Sequence, residues 1–283
     1  MPRMQPPLSS VPVQSLRWSG HTDRGKVRAN NEDSFLGLRF NAHELHRLGK
    51  YGDAPTGEMD FVFAVSDGMG GAMAGEFASS ITVDKITRLL PRSFKHSAAG
   101  LQAGFEDILT ELYQQIHAAI TNLGRSYAEC QGMGATLSLC WFTPGWLYFA
   151  HVGDSRIYYL PKTGGGLRQL SHDDTHVGWL FRNGQLNERE ARTHPRRNVL
   201  QKSLGAGNQF VDPQLGAVAL EPGDQFMLCT DGVTDGLYDS RLEDLLRAPV
   251  GQEVELTPAH RLVRTAVAES GRDNATAMVI EAV

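Results

Sequence analysis

Four aspartates in this sequence share one local context, the end of a short apolar run. Asp67 and Asp231 each follow such a run, and each precedes a glycine, Gly68 and Gly232. Asp154 lies in the turn between two apolar stretches, and Asp273 stands just before the last one. An acidic cluster, Asn30-Asn-Glu-Asp33, precedes the apolar pair Phe35-Leu36. Singly these are ordinary, since Asp-Gly is a common turn pair and Asn-rich or Asp-Asn steps fill caps and loops. Together they deliver five or more carboxylates to one edge if the apolar runs are strands of shared sheets. Carboxylates crowded in that way repel and raise one another's pKa values. Hard divalent cations with oxygen ligands, Mg²⁺ or Mn²⁺, relieve the repulsion; with no His or Cys in the set, zinc fits less well.

The runs that must position these groups read as strands. Residues 59–66 put apolar side chains on both faces, as a strand covered on both sides does. From Gly134 onward, strands are expected over 135–142, 146–152, 155–160 and 167–170, separated by Gly-containing turns. Residues 224–230 and 275–282 supply two more. Helices are expected over 74–90 and over 101–123, where Phe105, Ile108, Leu109, Leu112, Ile116, Ala119, Ile120 and Leu123 recur at helical spacing. Shorter helices are read at 242–246 and 258–269. Residues 171–204 are polar and rich in His, Arg and Asn, an insertion with short helices. Residues 39–58 read as a solvated loop, with metal binding by His43, His46 and Asp53 as the alternative. Strands at both ends with helices grouped early suggest a β-sandwich flanked by helices, not an alternating βαβ sheet.

With 27 Lys plus Arg against 32 Asp plus Glu, the formal net charge is −5, which argues against a general nucleic-acid binder. At 41% hydrophobic the 283 residues can build a sizeable core, and no apolar stretch reaches membrane-spanning length. Residues 1–14, with Pro and Ser and no apolar signal core, read as a disordered tail before a single domain at 15–283. Cys130, Cys140 and Cys229 lack zinc-type spacing and lie in apolar stretches, which suggests reduced thiols in a cytoplasmic protein.

The motifs become specific when read in order. Thr22-Asp-Arg-Gly-Lys-Val-Arg-Ala-Asn-Asn-Glu-Asp-Ser34 and Phe63-Ala-Val-Ser-Asp-Gly-Met-Gly-Gly71 resemble the opening of the bacterial branch of the protein phosphatase 2C family. Gly134-Ala-Thr136, Ala150-His-Val-Gly-Asp-Ser-Arg156, His194-Pro-Arg-Arg-Asn-Val-Leu200, Cys229-Thr-Asp-Gly-Val-Thr-Asp235 and Arg272-Asp-Asn-Ala-Thr276 are similar to its later motifs. The resemblance covers roughly residues 19–280. It implies an α+β fold, a two-sheet antiparallel β-sandwich flanked by helices on both faces (αββα), with metals at one end. It implies two core Mn²⁺ or Mg²⁺ ions and, as in bacterial members, a third, weaker one. Asp67 would bridge two metals, with the Gly68 carbonyl on one; Asp231 and Asp273 would hold the first ion, and Glu32 and Asp33 the second. Asp154, Asp231 and Asp235 match the positions around the third. Arg28 matches the arginine that grips the substrate phosphate, with Asn274 beside it, and residues 172–198 match a mobile flap. The implied reaction is hydrolysis of phosphoserine or phosphothreonine in proteins by a metal-activated water. Phosphorylated proteins and a cognate Ser/Thr kinase would be the partners of a monomeric signalling enzyme that binds neither nucleic acid nor membrane.

One departure stands out. The family places a histidine near the bridging aspartate as proton donor, where this chain has Met69 and Ala72. General-acid help is typically worth ~10²–10⁴ in rate, so its loss need not abolish turnover. A metal-bound water or His151 could substitute, although a histidine in an apolar strand is more often a packed core residue. Asp174-Thr175 likewise replaces the usual His-Ser pair in the flap. A rival of another class is therefore a pseudophosphatase or dedicated phosphoprotein-binding module. Gly20-His-Thr-Asp-Arg-Gly-Lys26 imitates a phosphate-binding loop but has Val27 where a hydroxyl is needed. No arginine stands six residues after any cysteine, which excludes the cysteine-phosphatase cradle. Trp141, Trp146, Tyr148, Tyr158 and Tyr159 lie at strand spacing without basic neighbours and read as core, not as a base-stacking surface.

Overall fold

The computed structural model describes residues 12–98 and 104–283. Strands β1 (Ser15–Asp23), β2 (Asp33–Phe40), β3 (Leu45–Arg47), β4 (Tyr51–Pro55) and β5 (Asp60–Met69) lead into helices α1 (Ala72–Ala98) and α2 (Phe105–Ser126). Strands β6 (Gly134–Ala135), β7 (Leu137–Thr143), β8 (Trp146–Val152), β9 (Arg156–Leu160) and β10 (Arg168–Gln169) follow. Two short helices, α3 (His176–Arg182) and α4 (Glu188–Thr193), then precede β11 (Leu204–Gly205), β12 (Gln214–Ala219) and β13 (Gln225–Cys229). The chain closes with α5 (Asp231–Gly236), α6 (Asp239–Arg247), α7 (Pro258–Glu269) and β14 (Ala275–Ala282).

The strands form two sheets, one ordered β10-β9-β13-β14-β1-β4 and the other β11-β6-β5-β7-β8-β12 with β2 and β3 alongside β5. Every strand pairing is antiparallel. Three apolar layers separate four structural layers. Val62 and Ala64 of β5 face the α1–α2 side, whereas Phe61, Phe63 and Val65 face the other sheet. Side chains alternate across a strand, so burial on both faces gives the continuous apolar run seen in the sequence. In β14, Ala275, Ala277 and Val279 pack beneath α5–α7 while Met278, Ile280 and Ala282 fill the space between the sheets. The α+β sandwich with helices on both faces is the fold expected from the resemblance. The helices are not grouped only early: α5, α6 and α7 cover the second outer face.

Several boundaries differ from expectation. Strand β5 continues to Met69, so Asp67 and Gly68 lie within it rather than after it. Residues 39–58 are not only a solvated loop, because β3 pairs with β2 and β4 pairs with β1. These edge strands pair through the backbone and leave most of their residues exposed, so they carry little apolar signal. His46 there contacts Glu44 and Asp53 contacts Arg17, which are surface pairs. The expected helix at 101–123 begins at Phe105, and residues 101–103 of that expectation lie outside the described residues, as do 1–11 of the tail. Val13 packs against the inter-sheet core, and the Gln14 amide donates to the Val283 carbonyl at 2.7 Å.

Candidate metal centre

Strand pairing assembles the acidic end of the sandwich. In the β2–β5 ladder Asp33 stands directly opposite Asp67. The Thr136 hydroxyl accepts the Asp67 amide at 2.9 Å and the Asp67 carbonyl accepts the Thr136 amide at 2.8 Å, locking the end of β5 to the β6–β7 break. From the other sheet, Asp231 opens α5 directly after β13, and Asp273 precedes β14. The Thr230 hydroxyl crosses between sheets to donate to Asp33 Oδ2 at 2.8 Å. Glycine is required where backbones touch: a Cβ on Gly68 would overlap the Gly75 carbonyl of α1, and one on Gly232 would overlap the Asn274 carbonyl. The same Gly75 faces the Glu32 carboxylate.

Burial, and then the neighbouring charges of Asp33, Asp231, Asp154 and Asp273, hold the Asp67 carboxyl well above the usual carboxylate range. Asp231 is raised in the same way, by burial and then by Asp154, Asp235, Asp273 and Asp33. Burial is also the largest cause at Asp33, pushed up to about 7, and at Asp154, pushed up to about 7 with Asp173 adding to it. Glu32 is raised by burial and by Asp273 and Glu76. The structure thus brings Glu32, Asp33, Asp67, Asp154, Asp231, Asp235 and Asp273 into one electrostatic neighbourhood. Among the described residues, no three His, Cys, Asp or Glu side chains are drawn together as a ready metal-holding group.

Two arginines already meet this acidic end. Arg28 donates to Asp273 Oδ2 at 2.6 Å, and Arg197 donates to Asp235 Oδ2 at 3.0 Å. Arg197 belongs to the polar insertion, where Thr175 caps α3 and Asn187 with Glu190 makes a capping box on α4. Between insertion and sheet end lies a cleft of about 340 Å³ lined by Asp154, Arg156, Asp173, Arg197, Asp231 and Asp235. Its floor holds a pair that sequence reasoning missed. Arg156 donates to Asp173 through Nε at 2.9 Å and Nη2 at 2.7 Å, and its Nη1 reaches the Tyr158 hydroxyl at 2.9 Å. Burial pushes Asp173 up, but the Arg156 guanidinium prevails and holds it below the usual range. The two partners are 17 residues apart, and no periodicity in the sequence links them.

Two expectations need correction. Asn274 does not face substrate: it is buried, its Oδ1 accepts the Glu32 amide at 2.8 Å, and its Nδ2 donates to the Arg24 and Asn30 carbonyls at 2.9 Å. With both donors used, it braces the 24–32 loop that carries Arg28 and Glu32. His151 is no substitute acid. It is fully buried, with Nδ1 2.8 Å from the Ser138 hydroxyl and Nε2 3.0 Å from the Gly153 carbonyl.

The donor set fits divalent ions on one direct observation. Asp33 Oδ1 and Asp231 Oδ1 are buried and have no hydrogen-bond partner. An orphaned buried acceptor typically costs about 1–3 kcal/mol, and a charged one more. Both belong to an all-oxygen set on facing strand ends, the chemistry that hard cations take.

Comparison with known proteins agrees with this geometry. A family model described as Protein phosphatase 2C matches residues 53–265. The serine/threonine protein phosphatase PstP of Mycobacterium tuberculosis is 33% identical over 272 residues, covering 95% of this chain and 45% of that protein. The chain thus spans about half the length of that relative. The serine/threonine phosphatase stp of Listeria welshimeri is 31% identical over 261 residues, covering 92% of this chain and 93% of that protein. Among solved structures, the Streptococcus agalactiae serine/threonine phosphatase superposes with a TM-score of 0.77 at 28% identity, covering 95% of this chain and all of the other. The catalytic domain of PstP in complex with two manganese ions gives 0.71 at 29% identity, covering 94% and 98%. This chain belongs to the protein phosphatase 2C family.

Proposed function

We propose that this protein is a metal-dependent phosphatase that removes phosphate from phosphoserine and phosphothreonine in other proteins. One observation carries the reading: two buried aspartate oxygens, on Asp33 of β2 and on Asp231 at the start of α5, have no hydrogen-bond partner among the described residues. Mn²⁺ or Mg²⁺ fits that donor set, and when bound it supplies the positive field and the activated water that attack on a phosphate ester needs. Asp67, Asp231 and Asp273 would hold one ion; Asp67, the Gly68 carbonyl, Glu32 and Asp33 would hold the second; Asp154, Asp231 and Asp235 would hold a third.

The chain's own groups do the rest. Arg28 is half-exposed beside Asp273 and can turn its planar fork to the phosphate oxygens. The Asn274 brace fixes the loop that carries it. The α3–α4 flap, latched by Arg197, borders the cleft into which the phosphorylated segment would enter. The relatives' printed names and the two manganese ions in the PstP structure support the same chemistry. Three free, buried cysteines support a reducing, cytoplasmic setting, and no described helix is long and apolar enough to cross a membrane. In that setting the protein would act as a monomer opposing a Ser/Thr kinase in signalling.

Phosphate release from a phosphothreonine peptide tests the reading. Turnover should require Mn²⁺ or Mg²⁺, stop with chelator, and fall by about 10³ or more in Asp67→Asn. A wild-type protein silent at saturating Mn²⁺ would point instead to a phosphoprotein-binding module.

A further inference from the structure

Beside the acidic end, α1 and α2 leave an open groove of about 550 Å³. Phe77, Tyr127, Leu123 and Cys130 line it together with the carboxylates Glu76 and Glu129. Phe77 is 48% exposed and Tyr127 53%, whereas Phe40, Phe61 and Phe63 of the same domain are wholly buried. Rings of that size are left in water at a cost in apolar area, and grouped exposure marks an interaction surface. No Lys or Arg lines the groove, and neither Glu76 nor Glu129 makes an ion pair among the described residues.

The groove adjoins the candidate centre. Gly75, the residue before Glu76, abuts both the Glu32 carboxylate and the Gly68 carbonyl. An extended chain advances roughly 3.3–3.6 Å per residue, so a segment with its phosphoresidue at the centre can run on into the adjoining groove.

We propose that this groove binds the part of a phosphoprotein substrate that flanks the phosphorylated residue. It takes a bulky apolar side chain between Phe77 and Tyr127, and a Lys or Arg against Glu76 and Glu129. The proposal rests on the phosphatase reading and adds to it a substrate class: phosphoserine or phosphothreonine with basic and apolar neighbours. Charge favours this occupant over a second copy of the chain, because a two-fold contact here would set the same two glutamates against each other.

The test compares two phosphothreonine peptides, one with Arg and Leu two to four residues from the phosphothreonine and one with Ala there. p-Nitrophenyl phosphate, too small to reach the groove, is the control. The Arg/Leu peptide should be preferred about tenfold in kcat/KM by the wild type, through KM. Phe77→Ala and Glu129→Arg, both at exposed positions, should cut that preference to about twofold and leave p-nitrophenyl phosphate turnover unchanged. A peptide carrying Glu in place of Arg should regain its rate with Glu129→Arg. No preference in the wild type, or one that survives both variants, overturns the proposal. So does a dimer that Phe77→Ala dissociates, or a preference seen only after removal of residues 1–11, which would make the chain's own beginning the occupant. Should the wild type hydrolyse none of these substrates with Mn²⁺, the phosphatase reading falls. Fluorescence anisotropy of the labelled Arg/Leu phosphopeptide then decides the groove alone: binding weakened in both variants supports it, and equal binding by all three proteins removes it.

Discussion

His151 shows what a single residue's surroundings decide. Nε2 faces the Gly153 carbonyl and must donate, so Nδ1 accepts from the Ser138 hydroxyl and the ring is neutral. Burial is the main cause that holds its pKa below the ordinary value of 6.5. The unfolded chain therefore binds a proton at this position that the folded chain refuses, so the imidazole's own contribution to stability is complete above about pH 6.5 and declines as the pH falls below it, opposite in sign to that of the raised carboxyls of Asp33 and Asp154. The decline is bounded by about 1.4 kcal/mol per pH unit. Urea midpoints at pH 7.5 and 5.5 should differ by more in the wild type than in His151→Gln; equal differences would remove the imidazole from the account. The sequence placed this histidine in an apolar strand and so indicated its burial. It gave no sign of Ser138 as its partner, because that contact spans two strands in register.

At the scale of elements, named bonds tie the polar insertion to the carboxylate end. Arg197 reaches Asp235, Arg192 donates to the Leu237 carbonyl at 3.1 Å, the Asp174 amide donates to the Gly153 carbonyl at 2.7 Å, and Asp173 accepts both bonds from Arg156. Helices α3 and α4 are 7 and 6 residues long, too short to hold their shape without such anchors. Arg197→Ala should increase proteolytic cleavage within residues 176–198 severalfold, while global stability changes by under about 1 kcal/mol, since the pair is partly exposed. Cleavage at the wild-type rate would show that Arg197 is no latch. The insertion and its short helices were legible from composition, whereas the caps Thr175 and Asn187 emerged only with the structure. Which arginine meets which aspartate was not legible, because 38 residues separate Arg197 from Asp235.

For the whole molecule, ions that bind the native state alone must stabilise it. A ligand at 100 times its Kd adds about 2.7 kcal/mol, and the carboxylates converge only when both sheets are in place. Mn²⁺ should raise the thermal midpoint by several degrees, chelator should reverse this, and Asp231→Asn should lose most of the rise. Identical midpoints with and without Mn²⁺ would separate the acidic end from metal binding. A β-sandwich flanked by helices was legible from the two-faced apolar run of β5 and the one-sided stripe of α2, whereas helices on both outer faces came only from the family resemblance. Edge strands β3, β4 and β12 were not legible, since backbone pairing to a neighbour needs no side-chain pattern.

By itself the sequence determined the residue types at the acidic end, their order and the family they belong to, because those motifs are local strings with strand or turn character. Only the tertiary structure decided which of them meet. Asp33 faces Asp67 through strand register, Thr230 crosses from the other sheet to Asp33, and Asn274 turns inward to brace a loop. The reason is physical: register, sheet-to-sheet packing and buried hydrogen bonding are set by cooperation among residues far apart in the chain, 245 positions in the pair Arg28 and Asp273, and no local pattern encodes such distances.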